Sequence, residues 1–389
     1  MIRLFLNCLA ASAGGGLTYL RNVVPHLSAR TDVQTMVAAS AGMKREIGEL
    51  PNLSWADLEP ARGAGRRLWQ EQTRLPQMIR DWNADVLISA GNFALRKSPV
   101  PQILLSGNSL YTSADFFHDL RSRRAYRLLL DTRLKGIIAK RSVGWADCTV
   151  APSEAFAQDL RRWTGAPIVI VYHGFDHENF CADSTPLPAN IQQKLDSAKD
   201  ALRLLFVSHY NYYRNFETLF RALLSLRKHM DGCRVILFLT CRLRSEENPG
   251  RYRAETAAAL VRNLGIADQV LELGPVPYHL LHHVYQACHI YVTPAYTETF
   301  AHPLVEAMAS GLPVIASDLP VHREICGDAA LYFPRFSPES LADCVMQVQQ
   351  SSALKNQFAA AGVKRSRDFS WQAHVERIVG LARDLVRTG

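Results

Sequence analysis

Two textures alternate along the 389 residues of this chain. Short apolar runs rich in β-branched residues recur, and between most of them the apolar positions fall three and four apart, as on one face of a helix. In the first half the runs are IRLFL (2–6), TMVAA (35–39), DVLISA (85–90), PQILLS (101–106), DCTVA (147–151) and IVIVYH (168–173). A polar, proline-containing stretch follows, CADSTPLPANIQQKLDSAKD (181–200). The pattern then restarts with LRLLFVS (202–208), CRVILFLT (233–240), VLEL (270–273), HIYVTP (289–294), PVIAS (313–317) and ALYF (330–333). Strands alternating with helices argue for parallel sheets covered by helices on both faces, built twice. The expectation is an α/β protein of two Rossmann-like, doubly wound domains facing across a cleft. Residues 1–180 form the first domain, 181–200 a linker and 201–369 the second, with a last helix over 370–389. Ligands in such folds sit beyond the carboxyl ends of the strands.

Composition narrows the class. Hydrophobic residues make up 48% and charged residues 21%, which is globular rather than disordered. Nowhere do eighteen apolar residues run together, so no membrane span is expected. The start, MIRLFLNCLAASA, has a basic residue, an apolar stretch and a small-residue ending (Ala11, Ser12, Ala13), as a signal peptide would. Asn7 interrupts it, however, and it flows straight into GGGLTYLRNVVPHL, so strand, glycine loop and helix is the reading taken. Eight cysteines without a C-x-x-C pair suggest reduced thiols and a cytoplasmic protein.

The net charge of +8 is unevenly spread. RSRRAYRLLLDTRLKGIIAKR (121–141) holds eight Lys and Arg against Asp131, with Leu128, Leu129, Leu130, Ile137 and Ile138 interleaved. Two readings stay open. A basic amphipathic helix, with Arg121, Arg123, Arg124 and Arg127 as its patch, would be drawn to an anionic membrane surface or a phosphate-bearing acceptor. Alternatively this is an ordinary surface helix with its apolar face in the core. No aromatic-interleaved patch or known module accompanies the charge, so nucleic acid is not expected as a partner.

The densest chemistry lies in ETFAHPLVE (298–306). The strand at 289–294 runs into a turn at Pro294, and Pro303 suits the first helical position. Glu298 then falls in the loop and Glu306 in the first turn of the helix. Between them the backbone N–H groups of Phe300, Ala301 and His302 lack intrahelical partners, which makes the helix end an anion site. Carboxylates on both sides of an anion need something else to hold, and sugar hydroxyls fit. A purely structural alternative makes Glu306 a complement to the helix dipole and Glu298 a solvated loop residue. A zinc site can be imagined from His279, His282, His283 and His289, but no carboxylate lies in sequence reach to support it. No D-x-D pair ends a strand, so neither a catalytic metal nor another cofactor is expected.

On these residues the chain resembles the retaining nucleotide-sugar glycosyltransferases of the GT-B fold, the glycosyl transferases group one family. The resemblance is carried by E-x7-E, Glu298 and Glu306, within TETFAHPLVEAMASGLPVIASDLPVHREICGDAALYF. YRNFETLFRAL, VAPSEAFAQDL, VYHGFDHENF, the glycine loop GGGLTYLRNVVPHL and the last helix FSWQAHVERI support it in order. It implies that the last helix crosses back onto the first domain. It also implies retaining transfer of a hexose from a nucleoside diphosphate sugar to a hydroxyl of a glycan or lipid-linked acceptor, in cell-surface polysaccharide synthesis. Glu306 would hold the ribose hydroxyls, Glu298 the donor sugar, and the N–H groups of Phe300, Ala301 and His302 the sugar and diphosphate. Arg214 would stabilise the leaving diphosphate. Gly15 and Gly16 would let backbone approach the same phosphates without a Cβ in the way.

Three positions depart from the family pattern. His209 stands where an arginine is usual, leaving one fixed positive charge instead of two. Ala301 replaces a glycine and is expected to take φ below zero. Asn108, in SGNSLY, stands where many members have histidine; it can hydrogen-bond a sugar but carry no proton. A phosphorylase or synthase of the same fold, and a non-catalytic nucleotide-sugar or glycan-binding subunit, therefore remain as alternatives. The base of the donor, the acceptor and the oligomeric state stay open, as does attachment to the inner face of the cytoplasmic membrane.

Overall fold

The computed structural model describes residues 1–11, 15–230, 232–250 and 252–388. The small-residue ending of the signal-like start, Ser12 and Ala13, lies outside the described residues, as does Gly14.

Among the described residues thirteen strands fall into two parallel sheets. The first contains β1 (Ile2–Asn7), β2 (Val33–Ala38), β3 (Leu53–Trp55), β4 (Val86–Ser89), β5 (Gln102–Leu105), β6 (Cys148–Ala151) and β7 (Val169–Ile170). Their spatial order is β3-β2-β1-β4-β5-β6-β7. Because successive side chains of a strand point to opposite faces, each strand feeds two cores. Leu4, Leu6, Ile88, Ile103 and Val150 meet the helices Gly15–Ser28 and Trp371–Thr388. On the opposite face Phe5 and Leu87 meet Leu75 and Ile79 of the helix Ala64–Asp81. Leu104 and Ala151 there meet Val143 of the helix Tyr126–Trp145 and Phe156 of the helix Glu154–Thr164. Strand β3 escapes the sequence pattern because it has three residues, none of them buried.

The second sheet contains β8 (Leu202–Phe206), β9 (Val235–Leu239), β10 (Val270–Glu272), β11 (Ile290–Thr293), β12 (Val314–Ser317) and β13 (Ala330–Phe333). Its order is β10-β9-β8-β11-β12-β13. The direction of travel reverses between β8 and β11, which is the switch point where doubly wound sheets place ligands.

The chain does not divide at the sequence-based boundaries. One unit comprises Met1–Thr112, Ala125–Gly174 and Phe369–Gly389; the other comprises Ser113–Arg124 and Phe175–Asp368. Residues 181–200 are not a linker: 189–196 form a helix whose Ile191 and Leu195 are buried in the second unit. The segment 113–124, expected in the first domain, packs in the second. Its helix, Ala114–Ser122, sets Phe116 edge-on to Tyr213 at 6.1 Å, and Arg335 pairs with its Asp115 at 2.7 Å.

The 371–388 helix packs on the 15–28 helix, through Val375 and Ile378. His374 is held neutral by burial, which pushes its pKa down to about 4; its Nδ1–H donates to the Tyr172 carbonyl (2.8 Å), and Nε2 accepts from the Tyr19 hydroxyl (3.1 Å). Gly174 allows the approach, since a Cβ there would lie 2.0 Å from the Trp371 nitrogen.

Candidate active site

Two loops at the carboxyl ends of β8 and β11 build the site. After β8 a turn of 3-10 helix, Tyr212–Arg214, is capped by Asn211, whose Oδ1 accepts from the Arg214 N–H at 3.1 Å. Asn215 follows in the left-handed region at φ 55°, a conformation asparagine tolerates because its short side chain bonds locally. Its amide donates to the carbonyls of Pro294 (3.1 Å) and Arg335 (2.7 Å), and its Oδ1 accepts from the Thr218 hydroxyl (3.0 Å). The Tyr296 N–H donates to the Tyr213 carbonyl at 3.0 Å, so the β8 and β11 loops are stitched side by side.

This stitching brings Arg214 to Glu298, 84 residues away in sequence, as an ion pair of low exposure. Burial opposes the guanidinium charge, and Glu298 more than offsets it, so the Arg214 pKa is raised. Glu298 also accepts from the Thr299 N–H at 3.1 Å.

The helix His302–Ala309 starts one residue before Pro303. Its N-cap is Ala301, at φ 65° and ψ 64°. The expectation of a negative φ is thus overturned: Ala301 occupies the left-handed region, at a cost of roughly 1–2 kcal/mol for a residue with a Cβ. A glycine would take that geometry freely. Glu306 also lies deeper than expected, beyond the first turn, which contains no acid. It is 4% exposed, and the Tyr285 hydroxyl donates to its Oε2 at 2.8 Å. Burial pushes its pKa up to about 7, with the Tyr285 hydrogen bond opposing. Glu306, Glu298 and Arg214 all act electrostatically on the buried phenol of Tyr291, on β11.

Several members of this constellation carried no signal in the sequence. Tyr285, in the helix Leu281–Gln286, and Asn215 are set by tertiary contacts alone. His322 could have been flagged from PVHREIC: it is fully buried and feels both Glu298 and Arg214. Burial pushes its pKa down to about 4, and its Nδ1–H donates to the Ser317 carbonyl at 2.9 Å. Arg123 is another, in a role other than the one expected. It pairs at 2.7 Å with both Asp119 and Glu217 and lies 4.3 Å over the Tyr212 ring, while Asp119 also accepts from the Tyr296 hydroxyl at 2.8 Å. The 113–124 segment therefore braces the turn that carries Arg214.

The family profile described as Glycosyl transferases group 1 matches residues 189–365, and that of Glycosyltransferase Family 4 matches 13–179. The chain belongs to the group 1 glycosyltransferases. A D-inositol 3-phosphate glycosyltransferase of Corynebacterium aurimucosum is 26% identical over 260 residues, 65% of this chain. The match spans 61% of that relative's length. Among solved structures, sucrose-phosphate synthase of Thermosynechococcus elongatus superposes with a TM-score of 0.78 at 18% identity, covering all of both chains. Anabaena HepE in complex with UDP-glucose gives 0.73 at 14% identity, over 99% of this chain and 100% of that one. These structural likenesses establish the GT-B fold.

The remaining expected residues lie elsewhere. Gly15 and Gly16 open the 15–28 helix; a Cβ on Gly15 would meet open space, and one on Gly16 would press on Ala11 at 3.2 Å. His209 is exposed, its pKa lowered by desolvation and then by Arg214. Asn108 is put to local use, its Oδ1 accepting from the Leu110 N–H at 3.0 Å and its side chain bonding the Tyr111 phenol. The basic stretch 121–141 is not one helix. It breaks at Arg124, at φ 53°, so Arg121 and Arg123 belong to the second unit while Arg127 belongs to the first, and Arg123 is consumed by its ion pairs. Among the described residues no group of three or more His, Cys, Asp or Glu is placed to hold a metal ion, and all eight cysteines are free. His289 turns to Arg203 instead, and His282 to the His279 carbonyl. No described helix is long and apolar enough to cross a membrane.

Proposed function

We propose that the chain transfers a hexose, with retention, from a nucleoside diphosphate sugar to a hydroxyl of a glycan or lipid-linked acceptor. The observation that carries this reading is the joining of Arg214 to Glu298 beside the start of the 302–309 helix, with buried Glu306 on the same helix. In the free protein the two charges neutralise each other. An incoming diphosphate would take Arg214, which has further N–H donors beyond the one given to Glu298, and so release Glu298 for the hydroxyls of the donor sugar. Glu306 would accept from the ribose hydroxyls. As the glycosidic C–O bond breaks, its electron pair leaves with the diphosphate, whose growing charge Arg214 stabilises. The acceptor oxygen attacks the same face of the sugar, and its proton passes to the departing phosphate oxygen. No protein base is needed for that step. Retention is taken from the family resemblance, and no metal is assigned a part.

A thermal-shift panel of UDP, GDP, ADP and their sugar conjugates tests the reading. One nucleotide should stabilise the wild type by about 2.7 kcal/mol at a hundred times its Kd. Arg214→Ala should abolish that shift. Failure of every nucleotide to stabilise the protein would overturn the donor assignment. Binding without turnover, with one fixed positive charge where His209 replaces a second, would favour the non-catalytic reading.

A further inference from the structure

The helix Tyr126–Trp145 is inside out by the usual rule. Apart from Val143 near its end, its buried side is made of small residues, Thr132, Gly136, Ala139 and Ser142, which lets it lie close to its neighbours; a Cβ on Gly136 would already touch Tyr111 at 3.6 Å. Leu128, Leu129 and Ile138 are half-buried, and four large apolar residues are displaced outward. Tyr126, Leu130, Leu134 and Ile137 are each between 52% and 61% exposed. Their spacing of four, four and three places them on one stripe, roughly 16 Å long at 1.5 Å per residue.

A second helix, Ala64–Asp81, lies on the same side of the first sheet. Its Arg67 and the Asp131 of the first helix both act on the Tyr111 phenol, so the two are neighbours. It turns outward Trp69, 68% exposed, with the exposed Arg66 and Arg74 beside it. Arg127, Lys140 and Arg141 are exposed around the aliphatic stripe. Of the acids on the two helices, Glu71 is buried and Asp131 is paired with Lys135 at 2.6 Å, while the exposed Asp81 lies at the far end of its helix, three turns beyond Trp69.

Charge decides the occupant. A second copy of the same face would bring arginine against arginine. A nucleic acid would meet the charge but leave the Leu and Ile side chains uncovered. An anionic bilayer satisfies both at once, with headgroups on the arginines, the aliphatic stripe at the acyl boundary, and Trp69 and Tyr126 at the interface. We infer that the outward faces of these two helices dock the protein on an anionic lipid surface.

The full chain is floated with phosphatidylcholine vesicles, with and without phosphatidylglycerol, in the absence of donor and acceptor, so the outcome is independent of the transfer reaction. The wild type should float only with the anionic vesicles and release at high salt. Leu134→Glu with Ile137→Glu, and separately Trp69→Glu, should each lower the bound fraction at least tenfold while leaving the thermal midpoint unchanged, since all three side chains are exposed. Arg221→Glu, on the exposed side of the other unit, should float like the wild type. Absence of flotation with anionic vesicles, or flotation insensitive to the stripe substitutions, overturns the inference. So does a lipid-free dimer that the same substitutions dissociate, which would assign the face to a second copy.

Discussion

Glu306 offers a test in which stability and ligand binding must agree. Its carboxyl is buried and faces one tyrosine hydroxyl at 2.8 Å, and burial lifts its pKa from 4.5 to about 7. The folded state therefore holds the proton more tightly than the unfolded chain. The favourable contribution is fully present below pH 4.5 and is lost as pH rises through about 7. At 1.36 kcal/mol per pH unit the interval is worth about 3 kcal/mol. Denaturant unfolding of the wild type and of Glu306→Gln at pH 5 and pH 8 isolates this group: the wild type should lose about 2.5 kcal/mol more than the variant between the two, part of the effect being already lost at pH 5. The same carboxyl must ionise to accept two ribose hydroxyls. Nucleotide affinity should then fall about tenfold for each pH unit below 7, and calorimetry in buffers of different ionisation enthalpy should register a proton released on binding. Identical pH profiles for wild type and Glu306→Gln, in both stability and affinity, would refute the argument.

Arg214→Ala should lower the transfer rate by about 10²–10³-fold, and Arg214→Lys should restore only part of it, because an ammonium keeps the charge but loses the planar fork; single-turnover kinetics read both. Ala301→Gly relieves the left-handed cost of roughly 1–2 kcal/mol and gives back about 0.5–1 in chain entropy, so the thermal midpoint should rise. A fall would show that the methyl group packs usefully. Arg123→Ala leaves Asp119 and Glu217 without their shared cation and should destabilise by about 1–3 kcal/mol, with a loss of kcat that Arg123→Lys partly rescues; unchanged kcat would dissociate the brace from the Arg214 turn. Gly174→Ala forces a Cβ to within 2.0 Å of the Trp371 nitrogen and should loosen the last helix, visible as faster amide exchange over residues 371–388.

Most of the sheet architecture was legible because a buried parallel strand is a local apolar run, and twelve of the thirteen strands announce themselves that way. Strand β3 did not, since an edge segment of three part-exposed residues has too little pattern to read. The E-x7-E stretch was equally local, a strand, a loop and a proline-started helix within twenty residues. Its chemistry was less so. Nothing in the sequence around Glu306 names Tyr285 as its hydrogen-bond partner, and spacing alone put Glu306 in the first helical turn when it lies deeper. The φ of Ala301 was misjudged because the left-handed cap is imposed by the loop on either side of it, against the preference of alanine itself.

The sequence by itself determined what depends on neighbours along the chain: the strands, the switch from period two to period 3.6, the glycine and proline stops, and the motif that places the chain among the group 1 glycosyltransferases. Tertiary structure alone decided what depends on distant partners. It joined Arg214 to Glu298 across 84 residues and moved residues 113–124 into the second unit. It also turned the 126–145 helix so that small residues face inward and Tyr126, Leu130, Leu134 and Ile137 face outward. Local propensity has no access to these choices, because each is settled by which buried face or opposite charge the folded chain brings near.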